Sequence, residues 1–149
     1  MKKLGFLLAF FAFAGAWTSA QAEVHFKDVN FKEAQKLASK GKKVIMVDLY
    51  TDWCGWCKRL DKDTYSKEDI GKYADDNFIS LKVNAEKGEG VELAKNGKVR
   101  GYPTILFFNE KGEEIHRLVG YQAAADFMQT LQTAVSKNTA TATGSQTGK

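Results

Sequence analysis

The segment Asp52-Trp53-Cys54-Gly55-Trp56-Cys57-Lys58 holds both cysteines of the 149-residue chain. Two thiols this close have four uses: a structural staple, half of a soft-metal site, a pair of inert buried groups, or a dithiol that exchanges with a substrate disulfide. A staple gains stability with the length of chain it closes, and this one closes two residues. A closed zinc site takes four ligands, and no Met or His lies near the pair in sequence. Exchange needs one thiol that is a good nucleophile and a second close enough to displace it.

Cys54 falls where the apolar run Lys43 to Tyr50 gives way to a helical pattern from Lys58 to Asp63. A helix N-terminus offers unpaired N–H groups and a positive dipole end, both favouring a thiolate. Cys57 follows one helical turn later, so its sulfur faces that of Cys54. Cys54 is therefore assigned as the attacking thiol and Cys57 as the resolving thiol of a Cys54–Cys57 redox disulfide. Gly55 relieves the turn, and Trp56 fills the space between the cysteines. Trp53 shields the dithiol or packs as a plain core tryptophan. Asp48 interrupts the apolar strand six residues before Cys54. Burial would raise its pKa and let it take the proton of Cys57; a solvated strand end would leave it inert.

The elements that position these groups follow from periodicity. Val24 to Phe26 reads as a short strand or arm. Asn30 caps a helix whose face is Phe31, Ala34, Leu37 and Ala38, ended by Gly41. Lys43 to Tyr50 reads as a central strand covered on both sides. Ser66 opens another helix with acids in its first turn. Phe78 to Val83 is a second core strand, Glu89 to Lys95 a short helix, and Thr104 to Phe108 a third strand. Gly112 turns the chain into Ile115 to Val119, an antiparallel hairpin. Phe127, Met128, Leu131 and Val135 form the face of a last helix. The predicted class is α/β, a mixed sheet flanked by helices in one domain over 23–136. The stretch 137–149 carries no large apolar residue and is expected to be a disordered tail.

Residues 1–22 form a unit of their own: Lys2 and Lys3, an apolar run from Leu4 to Trp17, then Ala20-Gln21-Ala22. That pattern predicts a secretory signal peptide cut after Ala22. The 14-residue run is short against the ~20 that span a bilayer, so no stable membrane insertion is expected after cleavage. The expected location is periplasmic or secreted, where disulfides persist. Without the signal, 20 basic residues stand against 18 acidic ones. They are interspersed with no basic block, which excludes nucleic acid as a partner.

The single proline, Pro103, stands before the third strand in "RGYPT" and alone would mark only a strand start. Together with the dithiol, it makes the chain resemble the thioredoxin superfamily. The resemblance runs from about Phe26 to Val135. It is nearest to the C-terminal thioredoxin-like domain of the DsbD electron transporter, on "VDLYTDWCGWCKRLDKDTYS" and "GYPTILFFNEKGEE". It implies a thioredoxin fold and a cis Pro103 packed by the dithiol. It further implies that the backbone of Tyr102 pairs with substrate, that Asp48 is the family's buried aspartate, and that Asp61 replaces a family glutamate. Gly55-Trp56 departs from the dipeptides of both that domain and ordinary thioredoxin.

The sequence thus predicts an exported thiol–disulfide oxidoreductase, acting as a disulfide reductase or electron carrier and needing no cofactor. Its partners would be exported proteins with disulfides and a DsbD-like membrane electron donor. No histidine or other cation lies between the cysteines, and Asp48 and Asp61 oppose thiolate charge, which places the couple toward the reducing end. The competing readings are a disulfide oxidase or isomerase, a soft-metal chaperone for Cu(I) or zinc, and a non-catalytic peptide-binding module. His25 and His116 read as surface or edge residues, and Lys58 as a solvated helix residue.

Overall fold

A computed structural model describes residues 23–144. The signal peptide expected over 1–22 and the last five residues lie outside the described residues. The elements follow the order α1 (Phe31–Gly41), β1 (Val44–Tyr50), α2 (Gly55–Leu60), a π-helical turn (Asp61–Tyr65), α3 (Glu68–Asn77), β2 (Phe78–Asn84), α4 (Glu89–Asn96), β3 (Thr104–Phe108), β4 (Glu114–Val119) and α5 (Ala124–Gly144).

The four strands lie in the order β2-β1-β3-β4. β1 pairs parallel with β2 and antiparallel with β3, and β3 pairs antiparallel with β4. β1 is apolar almost throughout because it is central and covered on both faces. Alternation sorts its side chains. Val44 and Met46 pack with Leu60, Tyr65, Ile70, Phe127 and Leu131 on one face. Ile45, Val47 and Leu49 pack with Ala34, Ala38, Ala94 and Leu106 on the other. Asp48 shares the alternation of Val44 and Met46, so it points toward the layer containing α2 and its π turn.

Local chemistry sets the boundaries. Asn30 Oδ1 accepts from the Glu33 N–H at 2.9 Å and caps α1, as the sequence predicts. Gly90 lets α4 press onto the end of β2, for a Cβ there would stand 2.0 Å from the Asn84 carbonyl oxygen. That approach shapes the loop between them, Ala85 to Gly88. After Leu60 the helix widens into the π turn, with the Ser66 N–H donating to Asp61 O at 3.2 Å. Thr64 and Tyr65 are buried there, the Tyr65 ring edge-on to Phe26 and Phe127. Val24 to Lys27 is an arm: the Val24 N–H donates to Tyr65 O, and the Lys27 N–H to Ser80 O.

The C-terminus departs from expectation. The stretch 137–149 is predicted to be a disordered tail, yet α5 continues through Gly144. Thr139, Thr141 and Thr143 donate their hydroxyls to the carbonyls of Val135, Lys137 and Thr139, one turn back along the helix.

Candidate active site

β1 delivers the chain to Thr51, and the Cys54 N–H donates to Thr51 O at 3.1 Å, closing a tight turn. Cys54 is the N-cap of α2. Cys54 and Cys57 form a disulfide with Cα atoms 5.3 Å apart. Sγ of Cys54 accepts from the Cys57 N–H at 3.1 Å. The two sulfurs are therefore unlike: only Cys54 receives a helix-terminal donor, which favours its thiolate once the bond is reduced. Both residues are nearly buried, Cys54 keeping 4% of its surface and Cys57 2%. A freely exposed Cys54 is thus not what the fold presents in the disulfide form.

Aromatic side chains rise around the pair. Trp53 is 69% exposed and Trp56 55%, so neither is a core tryptophan. The Trp53 Nε1–H donates to Glu86 Oε1 at 3.1 Å, and its ring stands edge-on to Tyr102 at 5.9 Å. Asp52 accepts from Asn84 and Lys87, tying the same turn to the β2–α4 loop. Trp56 lies 5.8 Å from Tyr121, and the Arg59 guanidinium sits over both rings. Trp56, Tyr102, Gly120 and Tyr121 line a groove of about 330 Å³. The Tyr102–Pro103 peptide bond is cis, as the resemblance implies. Gly55 is open to solvent, with nothing within 4 Å of where a Cβ would stand.

A charged cluster that β1–β2 register creates lies on the face of β1 toward α2 and the π turn. Asp48 pairs across the parallel ladder with Lys82. The Lys82 ammonium stands 3.4 Å from Asp48 Oδ2 and also pairs with Asp61. Asp48 is fully buried, and neither of its oxygens has a hydrogen-bond partner. Its pKa is raised from 3.8 to about 6: burial is the main cause, Lys82 opposes it, and the Asp61 charge adds to it. The Tyr65 hydroxyl is near enough to favour the carboxylate slightly without meeting hydrogen-bond geometry. Burial, and then the Asp48 and Asp61 charges, hold the Tyr65 phenol well above its ordinary range. A cavity of about 220 Å³, lined by Phe26, Asp61, Tyr65 and Lys82, opens this cluster to solvent.

Asp48 and Asp61, far apart in the chain, thus meet through one lysine that sequence reasoning missed. Its signal was faint: Lys82 is a lone cation inside the mostly apolar run Phe78 to Val83. Glu86 and Tyr121 were missed as well, since their loops carry no local motif, and Arg59 because on α2 it reads as a solvated helix cation. His25 and His116 stay at the periphery, on Asp75 and on Phe107 of the hairpin. Among the described residues no group of three or more His, Cys, Asp or Glu comes together as a metal site.

A helix-capping CxxC disulfide beside a cis-proline loop, on a mixed sheet whose central strand carries a buried acid, defines a thiol–disulfide oxidoreductase of thioredoxin type. Comparison with known proteins agrees. The family described as a thioredoxin-like domain matches residues 31–134, and the chain belongs to it. It is 36% identical over 119 residues to the thiol:disulfide interchange protein DsbD of Yersinia pestis, covering 76% of this chain. The chain spans about a fifth (20%) of that relative's length. Among solved structures it is similar to a putative disulphide-isomerase from Bacteroides thetaiotaomicron, at 42% identity and TM-score 0.69, covering 78% of this chain and 97% of that one. It is also similar to the reduced DsbD C-terminal domain of Neisseria meningitidis, at 26% identity and TM-score 0.58, covering 69% and 92%.

Proposed function

We propose that this protein is an exported disulfide reductase or electron carrier, acting in a periplasmic or secreted setting. The Cys54 thiolate attacks a disulfide of an exported protein, forming a mixed disulfide and releasing one substrate thiol. Asp48 takes the Cys57 proton, and the Cys57 thiolate attacks Cys54 Sγ. The second substrate thiol leaves, two electrons have passed to the substrate, and the Cys54–Cys57 disulfide remains. Asp61 tunes this step through the shared Lys82. Trp53, Gly55, Trp56, Tyr102 and Pro103 would receive the substrate chain. A dithiol of a DsbD-like membrane donor would restore the reduced form; the similarity to DsbD supports that class of donor. Cleavage after Ala22 would free the chain, and no helix among the described residues is long and apolar enough to cross a membrane.

The observation that carries the reductase direction is the buried Asp48, with Asp61 beside it and Lys82 shared between them. Two carboxylates against one ammonium disfavour further negative charge at the sulfurs, and a less favoured thiolate makes a more reducing couple. A redox titration tests it. The expected potential lies below about −180 mV, toward the ~−270 mV of thioredoxin, and a value near ~−120 mV would overturn the reading.

One second reading has support of its own. The solved relative described as a putative disulphide-isomerase is 42% identical, and exposed Trp53 and Trp56 suit an unfolded chain. Reactivation of a scrambled-disulfide protein without net reduction would favour that reading.

A further inference from the structure

On the far side of the cis-proline loop from Trp53 and Trp56, a second cleft of about 330 Å³ opens between the α4–β3 connection and β4. Its charged lining residues, Lys98, Arg100 and Arg117, are all cations. Arg117 is satisfied within the protein, by a two-pronged contact to Glu114 and a bond to Gly97 O. Among the described residues neither Lys98 nor Arg100 has an ion-pair partner. Their loop is nonetheless fixed: the Lys98 N–H donates to Lys95 O and the Val99 N–H to Ala94 O. The backbone that carries Lys98 is therefore ordered, and both cations line the cleft.

This concentration of charge is local. The whole chain carries a formal charge of only +4, and the opposite flank of the disulfide presents Asp52 and Glu86. The cleft also neighbours the aromatic groove. Its Gly101 and Val119 adjoin Tyr102 and Gly120, and the Gly120 N–H donates to Pro103 O at 2.8 Å, joining the two walls. Val119, 62% exposed, adds an apolar surface.

We propose that this cleft takes an acidic stretch of the polypeptide whose disulfide is exchanged at Cys54, with Lys98 and Arg100 selecting for it. The proposal rests on the exchange reading above. Two solvated cations hold a free carboxylate weakly, but a carboxylate tethered to the bound disulfide arrives at high effective concentration. Arg100 lies two residues from Tyr102, or about 7 Å along extended chain. The acidic side chain therefore belongs within a few residues of the substrate cysteine.

The test uses the pre-reduced protein and three peptides with one internal disulfide, flanked by Glu, Gln or Lys pairs. At low salt the second-order rate should be about five-fold higher for the Glu peptide than for the Gln peptide, as two exposed ion pairs allow, and lowest for the Lys peptide. Salt at about 0.5 M should erase the order. The Lys98→Glu/Arg100→Glu variant should invert it, and the milder Arg100→Gln should shrink the Glu-to-Gln ratio if the double variant folds poorly. Equal rates at low salt, or an order unchanged in the variants, would overturn the proposal while leaving exchange intact. No exchange with any peptide, the Gln one included, would overturn the exchange reading and this proposal together.

Discussion

The Cys57 backbone N–H donates to Cys54 Sγ across 3.1 Å, and no such donor is recorded for Cys57 Sγ among the described residues. One end of the disulfide is thereby prepared to carry negative charge, and the other is not. The burial of the two residues hardly differs, so this bond is what distinguishes the two sulfurs.

That asymmetry predicts the behaviour of the single mutants. Cys57→Ser keeps the attacking thiol and loses the resolving one, so it should accumulate mixed disulfides stable on non-reducing gels. Cys54→Ser should trap at least tenfold less, because the Cys57 thiol lacks the helix-terminal donor. Equal trapping by both variants would contradict the assignment.

Asp48→Asn keeps the shape of the side chain and removes its proton chemistry. We predict a resolving step slowed about 10- to 100-fold, the lower range for loss of a positioned base. In the wild type the Asp48-dependent part of the rate should titrate near the carboxyl pKa of about 6. Stopped-flow rates from about pH 5 to 8 check this. A variant profile that matches the wild type would leave Asp48 a structural role only.

Lys82 and Asp61 should move that titration in opposite directions. The Lys82 ammonium lowers the Asp48 pKa and the Asp61 charge raises it. Lys82→Met should therefore shift the inflection to higher pH, and Asp61→Asn to lower pH. Shifts of the same sign would show that the shared ion pair is not what tunes Asp48.

Asp48 should also set a pH dependence of stability. Its folded pKa of about 6 exceeds its ordinary 3.8, so the folded state binds more protons than the unfolded between those values. Stability then falls as pH rises through that window and is flat above it. Asp48→Asn removes the penalty of burying a charge. It should gain up to about 3 kcal/mol at about pH 8 and almost nothing near about pH 3, the pKa difference converted at ~1.36 kcal/mol per unit. Urea unfolding at the two pH values measures it, and a loss at the higher pH would refute the sign.

Local chemistry was legible without any structure. The three-residue spacing of Cys54 and Cys57, the apolar run ending in their turn, the Asn30 cap and the alternating strands all depend on neighbours a few residues away. Pro103 became informative only beside the dithiol. At the far end, composition did not show how far the last helix runs: α5 continues through Gly144, into the Thr- and Ala-rich stretch expected to be a tail.

The sequence alone determined that a dithiol opens a helix after a buried strand, and which residue types surround it. What it could not determine is which distant side chains share a face. Asp48 meets Lys82 because β1 and β2 pair parallel in one particular register, and a shift of one residue would turn Lys82 to the other side of the sheet. Asp61 joins them from the C-terminal end of α2, and Glu86 reaches Trp53 from the β2–α4 loop, which the close approach of Gly90 to Asn84 shapes. Register and packing are settled by the whole core at once, so the gathering of Asp48, Asp61 and Lys82 was decided by tertiary structure.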